Sequence, residues 1–335
     1  GLMIIVTGAA GFIGSAIVWQ LNQLGRKDIL ISDKLKTEEK WNNISKMNYY
    51  DWIDRDELFE FLEATEIKIE AIVHMGACSA TTEKDADFLM KNNYEYTKKL
   101  WNYCTDKQIK FIYASSAATY GDGDKGYDDT ISLEEHENLR PLNKYGYSKK
   151  IFDVWALKQD KTPKLWAGLK FFNVYGPNEY HKGRMASMIF HAYNQYKESG
   201  EVKLFTSHKE GYRDGEQLRD FVYIKDITKV IAFMLGINNE SITIKNGIYN
   251  LGTGSARSFY DLARTTLESM GATKEDIKFT PMPEDLRGKY QYFTEAKMSK
   301  LKENGYKEEF YSLEEGIKDY VVNYLLNEDK YLWEY

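Results

Sequence analysis

Cysteine is scarce: Cys78 and Cys104 are the two in 335 residues. Two cysteines in apolar surroundings make no disulfide framework, and no His/Cys spacing suits a metal ion. A reducing, cytoplasmic setting is expected. Long apolar runs are missing too, since none approaches the roughly 18 residues of a membrane-spanning helix. The first apolar run is strand-length and ends in glycines, unlike a secretory signal. Gly1-Leu2, ahead of Met3, is read as an expression remnant and set aside. No basic block exists and the net charge is −6, so a nucleic-acid partner is not expected. Internal repeats and low-complexity linkers are also absent. What remains is a chain 43% hydrophobic and 15% aromatic, long enough for one large domain with a substantial core or for two domains.

The stretch from Met3 to Gly14 organises the rest. Met3-Ile4-Ile5-Val6 reads as a strand buried on both faces. It breaks at Thr7-Gly8, and Gly8, Gly11 and Gly14 follow at a spacing of three, after which Ser15 to Leu21 reads as a helix. Strand, glycine turn and helix together make a dinucleotide site. Gly8 permits the turn, Gly11 lets backbone approach a pyrophosphate, and Gly14 lets the helix pack closely on the strand. The phosphates then meet free amides at the positive end of the helix dipole.

A second short strand, Ile29 to Ser32, ends at Asp33, about twenty residues past the glycines, where a carboxylate accepts hydrogen bonds from the adenosine ribose. Asp33 alone suggests NAD. Lys34, Lys36, Lys40 and Arg55 lie close enough in sequence to offset its charge, so NADP is an equal candidate at this point. Next come a helical stretch from Arg55 to Ala64, a strand from Ala71 to Ala77, a small-residue loop through Thr82, and a helix from about Asp85 to Thr105. The strand Lys110 to Ala114 ends at Ser115-Ser116. A polar loop from Gly121 to Leu142 leads to a helix beginning near Tyr145. Leu165 to Phe172 is a further strand, and Ile248 to Gly254 is another strand and turn. This alternation implies an α/β fold with a doubly wound parallel sheet of the Rossmann kind, its sites lying outside the strand C-termini. We expect a dinucleotide-binding domain over residues 3–172, with return segments near 221–253. A second, smaller α/β substrate-binding domain is expected over 173–220 and 254–330. The charged segment Ser207 to Gln217 reads as a lid or insertion.

Four Tyr-x-x-x-Lys pairs occur: Tyr94/Lys98, Tyr103/Lys107, Tyr145/Lys149 and Tyr193/Lys197. Each would place both side chains on one helical face. Tyr145/Lys149 stands out because it opens a helix after a loop that follows the Ser115-Ser116 strand end. A phenol is a poor base at its ordinary pKa of about 10. A neighbouring ammonium and an oxidised nicotinamide both favour the phenolate. Lys149 also suits the nicotinamide ribose, and Ser116, preferred over Ser115, suits the substrate oxygen.

The glycine pattern, Ser116 and Tyr145-x-x-x-Lys149 resemble the extended short-chain dehydrogenase/reductase family, whose members act mostly on nucleotide-activated sugars. Several stretches resemble its ADP-heptose 6-epimerase branch. They include Gly76-Ala77-Cys78-Ser79-Ala80-Thr81-Thr82-Glu83, Asn143-Lys144-Tyr145-Gly146-Tyr147-Ser148-Lys149, Phe172 to Pro177 with His181-Lys182-Gly183, and Arg219 to Tyr223. The resemblance implies transient oxidation at C6″ of ADP-glycero-manno-heptose by tightly held NADP, with NAD possible. Rotation about C5″–C6″ and return of the hydride to the other face complete a step in lipopolysaccharide-core heptose supply. It implies Tyr145 as the base for one epimer and Lys182 for the other. By the same resemblance the cofactor contacts are Gly8, Gly11, Phe12, Ile13, Gly14, Asp33, Lys34, Lys40, Arg55, Met75, Gly76, Ala77, Cys78, Ser79, Asn92, Lys149 and Val174. The substrate contacts are Asn173, Arg184, His191, Phe205, His208, Arg219 and Tyr290. Met75 stands where the family has an acidic residue, Arg184 where it has a small polar one, and 207–217 is longer than the family pattern. A homo-oligomer, a pentamer by resemblance, is expected. Ser116 is followed by Ala117-Ala118 rather than an acid/base pair, which argues against dehydration. A C4-epimerase, a GDP-heptose enzyme and a non-catalytic nicotinamide-binding sensor stay open.

Overall fold

The computed structural model describes residues 2–76, 81–239, 241 and 243–333. The strands in chain order begin with β1 (Met3–Thr7), β2 (Ile29–Asp33), β3 (Asp51–Asp54), β4 (Ile69–His74), β5 (Lys110–Ser116) and β6 (Leu165–Phe171). They continue with β7 (Asn173–Tyr175), β8 (Val202–Phe205), β9 (Leu218–Arg219), β10 (Phe221–Tyr223), β11 (Gly247–Leu251), β12 (Arg257–Ser258) and β13 (Ile277–Thr280). Seven of them form one sheet in the order β11-β6-β5-β4-β1-β2-β3, and every pairing in it is parallel.

Successive side chains of a strand point to opposite faces, and both faces here are covered. Met3 and Ile5 join Leu30, Ile72, Phe111 and Trp166 on one face, under Leu58, Leu62, Trp101 and Phe152 from helices. Ile4 and Val6 join Ile31, Val73, Ile112 and Leu169 on the other, under Ala16, Ile17, Ile227 and Ile231. This double burial explains why β1 reads as a continuous apolar run rather than an alternation. Trp101 is the hub of the first face, meeting Trp166 edge-on with ring centres 4.9 Å apart. Cys104 lies in the same layer, where burial pushes its thiol up. Among the described residues no helix is long and apolar enough to cross a membrane.

The sheet reverses direction of growth between β1 and β4, the topological switch point at which α/β sheets open a crevice. Gly8 takes φ +61°, and a Cβ there would lie 2.7 Å from Gly76 backbone just after β4. A Cβ on Gly14 would lie 2.1 Å from the Gly8 carbonyl oxygen. The missing Cβ on Gly14 thus lets the first turn of the helix press onto the backbone that leaves β1. The helix that follows, α1 (Phe12–Gln23), begins at Gly11 with no side-chain cap and no acidic residue in its first turn.

The remaining strands form three small pairs. β10 lies parallel to β7, β13 parallel to β8, and β12 antiparallel to β9. In the region of the expected return segments, β11 joins the large sheet while β10 pairs with β7. Ile4 and Val6 share one continuous apolar cluster with Leu204, Leu262, Ile277 and Leu313. The segment 207–217 is pinned rather than free. Ser207 N donates to Asp214 Oδ1 (2.8 Å), His208 N to Tyr292 Oη (2.9 Å), and Gly215 N to the Phe205 carbonyl (3.0 Å). The polar loop 121–142 contains a short helix, Leu133–Glu137, begun by a Ser132/Glu135 capping box. The helix expected from Asp85 starts at Ala86, runs through a π-helical turn at Met90–Glu95, and continues as Tyr96–Lys107.

Candidate active site

A cleft of about 1100 Å³ opens over the switch point. Its floor is the glycine turn. The N–H groups at the start of α1 have no side-chain cap, and the glycines let the turn fold tightly on the Gly76 and Gly8 backbone, so the helix N-terminus is left free to meet an anion. This floor fits the pyrophosphate of a dinucleotide. Gly8, Gly11, Phe12, Ile13, Gly14, Asp33, Lys34, Lys40, Arg55, Met75, Gly76, Asn92, Lys149 and Val174 all line the cleft. Ala77, Cys78 and Ser79 lie outside the described residues.

At the far end of the floor, Asp33 is fully engaged. Its Oδ2 accepts from Ala10 N (2.9 Å), and its Oδ1 from Lys34 N (2.7 Å) and Lys40 Nζ (3.0 Å). The carboxylate thus fastens β2 to the glycine turn, which the β2-terminal position alone did not reveal. Arg55 donates to Asn92 Oδ1 (2.6 Å) and stacks over Tyr96 at 4.7 Å. Lys34 is bonded to Asp56.

The chemical end is built by β5 and the helix Lys144–Leu157. Asn143 caps that helix by accepting from Gly146 N (2.7 Å), which fixes where Tyr145 begins it. Asn93 Nδ2, in the π-helical turn, donates to Ser148 Oγ (3.1 Å). Tyr145 is 7% exposed, and Lys149 Nζ lies 5.9 Å from its ring centre while donating to the Ala114 carbonyl (2.8 Å). Ser115 and Ser116 divide their labour. Ser115 Oγ turns inward and donates to Asp153 Oδ2 (2.6 Å). Ser116 Oγ accepts from Ala118 N (3.0 Å) at the cleft wall. Of the four Tyr-x-x-x-Lys pairs, Tyr145/Lys149 is the one that lines the cleft; Lys98, for instance, lies against Tyr94 and Trp155 instead.

Behind this wall lies a buried polar layer that sequence reading missed. Asp153 also accepts from Tyr113 Oη (2.7 Å) and faces Lys170 Nζ at 3.6 Å. Lys170 donates to Thr119 Oγ1 (2.6 Å) and sits 4.3 Å from the Tyr120 ring centre. Burial raises the Asp153 pKa and lowers that of Lys170, each opposed by the other's charge. The spacing carried a signal, because Asp153 falls one turn beyond Lys149 on the same helical face.

Lys182 enters from the 3-10 turn Tyr180–Met185 and lines the cleft with its nitrogen 5.6 Å from the Phe12 ring centre. Burial lowers its pKa, and the charge of Glu179 works the other way. Its neighbour His181 is pushed down to about 4 by burial and by Lys182 and Lys40, so it is neutral at physiological pH.

Arg219 and Asn173 line the cleft. The Arg219 guanidinium lies over the rings of Phe259 (5.4 Å) and Tyr290 (5.2 Å), with Phe205 edge-on to Tyr290 at 6.0 Å. It has no carboxylate partner among the described residues. Five expected substrate contacts do not line the cleft: Arg184, His191, Phe205, His208 and Tyr290, of which Phe205 and Tyr290 belong to the aromatic group beside Arg219. Arg184 is exposed and its carbonyl faces His191 Nε2 at 3.2 Å. His208 Nε2 accepts from Met282 N (3.2 Å), so it ties two loops together. The rings of His191 and His208 are thus held by backbone groups of Arg184 and Met282 rather than by the cleft wall. The wall also includes Thr81 and Gln291, and Phe88, Tyr127 and Leu142, which no motif pointed to.

Sheet order, glycine turn and cleft define a Rossmann-type, dinucleotide-dependent protein. The chain belongs to the NAD dependent epimerase/dehydratase family, whose pattern matches residues 4–252. It is 64% identical to an ADP-L-glycero-D-manno-heptose-6-epimerase of Fusobacterium nucleatum, over 98% of this chain and 100% of that protein. It is 48% identical to the protein of the same name from Nitratidesulfovibrio vulgaris, again over 98% and 100%. The crystal structure of Helicobacter pylori ADP-L-glycero-D-manno-heptose-6-epimerase superposes with a TM-score of 0.75 at 28% identity, covering 96% of each chain.

Proposed function

We propose that the chain epimerises ADP-glycero-manno-heptose at C6″, interconverting the D-glycero and L-glycero forms. The observation that carries this reading is the 64% identity over the full length of a relative so named. The gathering of Ser116, Tyr145, Lys149 and Lys182 around one cleft supports it.

When bound over the glycine turn, a nicotinamide would supply reversible hydride acceptance, with no net redox change. Tyr145 takes the proton of the 6″-hydroxyl, its phenolate favoured by the Lys149 ammonium. Lys149 is held in turn by the Ala114 carbonyl. Ser116 Oγ holds the substrate oxygen beside the phenol. After rotation about C5″–C6″ the oxygen points elsewhere, and Lys182 gives it a proton to form the other epimer. A lysine whose pKa is lowered by burial can serve in both directions, as base from one side and acid from the other. Arg219, backed by two aromatic rings and free of carboxylates among the described residues, takes the substrate diphosphate.

The cofactor of this reading is NADP. Asp33 already holds three donors, and Lys34, Lys40 and Arg55 line the same end of the cleft. That leaves little free carboxylate for a ribose 2′-hydroxyl and a basic setting for a 2′-phosphate. The working unit of this reading is a homo-oligomer. Incubating the purified protein with either epimer and no added cofactor, and following C6″ by NMR, should show interconversion. The mass of the copurifying nucleotide should be that of NADP. A nicotinamide-loaded preparation that leaves both epimers unchanged would reject the reading.

A further inference from the structure

The turn that carries Lys182 has a single buried hub. Glu179, just before it, is completely enclosed. Its Oε1 accepts from Ser187 N (2.5 Å); its Oε2 accepts from Ser187 Oγ (2.7 Å), Tyr320 Oη (2.7 Å) and Gly176 N (3.2 Å). Gly176 precedes the turn and Ser187 follows it, so one carboxylate holds both of its ends. Tyr320 closes the helix Leu313–Tyr320, so the same carboxylate docks the turn onto the C-terminal part of the chain. The turn itself closes through Lys182 N to the Glu179 carbonyl (3.1 Å) and Ala186 N to the Gly183 carbonyl (3.2 Å). Among the described residues no cation lies within ion-pairing distance of Glu179, and four donors satisfy it instead.

Chain ends add further ties to the same turn. Tyr180 Oη donates to the Lys330 carbonyl (2.5 Å). Asn178 Oδ1 accepts from Leu332 N (3.0 Å), and its Nδ2 donates to Ser15 Oγ in α1 (3.0 Å). These contacts set the outside of the turn, whereas among the described residues Glu179 joins its entry to its exit.

We propose that Glu179 is a positioning residue for Lys182, holding the ammonium where it meets the substrate oxygen of one epimer and leaving the Tyr145 side of the reaction untouched. The proposal rests on the two-base reading above. It requires an effect on one half of the reaction, which a general loss of structure would not produce. Displacement of a reacting group by about an ångström costs up to roughly 100-fold in rate.

The test is single-turnover oxidation of each epimer separately by the cofactor-loaded enzyme, read as reduced-nicotinamide absorbance, with cofactor content and melting temperature measured alongside. Lys182→Ala should slow oxidation of one epimer and spare the other. Glu179→Gln should slow the same epimer, by roughly 10- to 100-fold, at unchanged cofactor content. Tyr320→Phe removes one of the four donors and should show the same asymmetry more weakly, which keeps the test open if Glu179→Gln fails to fold. Equal slowing of both epimers, or none, in the foldable hub variant overturns the proposal while an asymmetric Lys182→Ala leaves the two-base reading standing. A symmetric Lys182→Ala overturns both.

Discussion

The two sides of the cleft are held by different physics. On the sheet side, Ser116, Tyr145 and Lys149 sit on a β5 strand paired on both edges and on a helix of fourteen residues packed against it. The buried charge behind them is paired, Asp153 with Lys170. On the other side, Lys182 rides a six-residue turn and Arg219 a two-residue strand. The fully buried carboxylates Glu179 and Asp226 have no ion-paired cation among the described residues. Glu179 relies on four donors, and Asp226 accepts from Tyr311 N (3.0 Å) with its Oδ1 left without a partner among the described residues. Regular secondary structure satisfies its own backbone and can spare side chains for chemistry. A turn spends side chains on holding itself together.

The largest effect should come from the sheet side. Tyr145→Phe should lower turnover by about 10²- to 10⁴-fold while the nucleotide remains bound, measured by NMR turnover and by cofactor content. A protein acting only as a sensor would keep its cofactor and its biological effect in this variant.

The paired charge behind that wall comes next. Lys170→Met strands Asp153 in the core and should cost about 3–5 kcal/mol of stability in urea unfolding. Adding Asp153→Asn should restore part of the loss. If the single variant unfolds like the parent, the contrast drawn between the two sides is wrong.

At the adenosine end, Lys40→Ala removes a cation from beside Asp33. Affinity for NADP relative to NAD should fall roughly tenfold, read by competitive titration of cofactor-stripped protein. An unchanged ratio would assign the 2′-phosphate to other residues.

The smallest effect is a pH dependence on the second side. Burial raises the Asp226 pKa from 3.8 to about 7. Between those values the native state keeps a proton that the unfolded chain has released. Stability from this group therefore falls as pH rises from about 4 to 7 and stays reduced above that. Asp226→Asn should melt a few degrees above the parent at pH 8 and close to it at pH 4.5. A difference of the opposite sign would show that Asp226 is stabilised as the anion.

Legibility followed the same division. The glycine spacing, the apolar run of β1, Asp33 at the end of β2 and the Tyr145/Lys149 spacing all depend on neighbours a few residues away, and all are readable from local pattern. Arg184, His191, Phe205, His208 and Tyr290 were expected at the substrate and are not at the cleft wall. His191 is turned by the Arg184 carbonyl and His208 by Met282 N, 74 positions away, and neither meeting is written in a local spacing. Phe88, Leu142 and Gln291 line the cleft from three distant segments, and no spacing links them.

Local order along the chain was enough to establish a parallel α/β sheet with a nucleotide turn at its first crossover, because periodicity and glycine sterics act within one turn or strand. The tertiary fold alone decided that the Ser115 hydroxyl is taken by Asp153, that Asp33 is spent on the glycine turn, and that Glu179 gathers Gly176, Ser187 and Tyr320. Those outcomes depend on which polar groups meet once water is removed, and residues 144 positions apart, such as Gly176 and Tyr320, carry no local trace of that meeting.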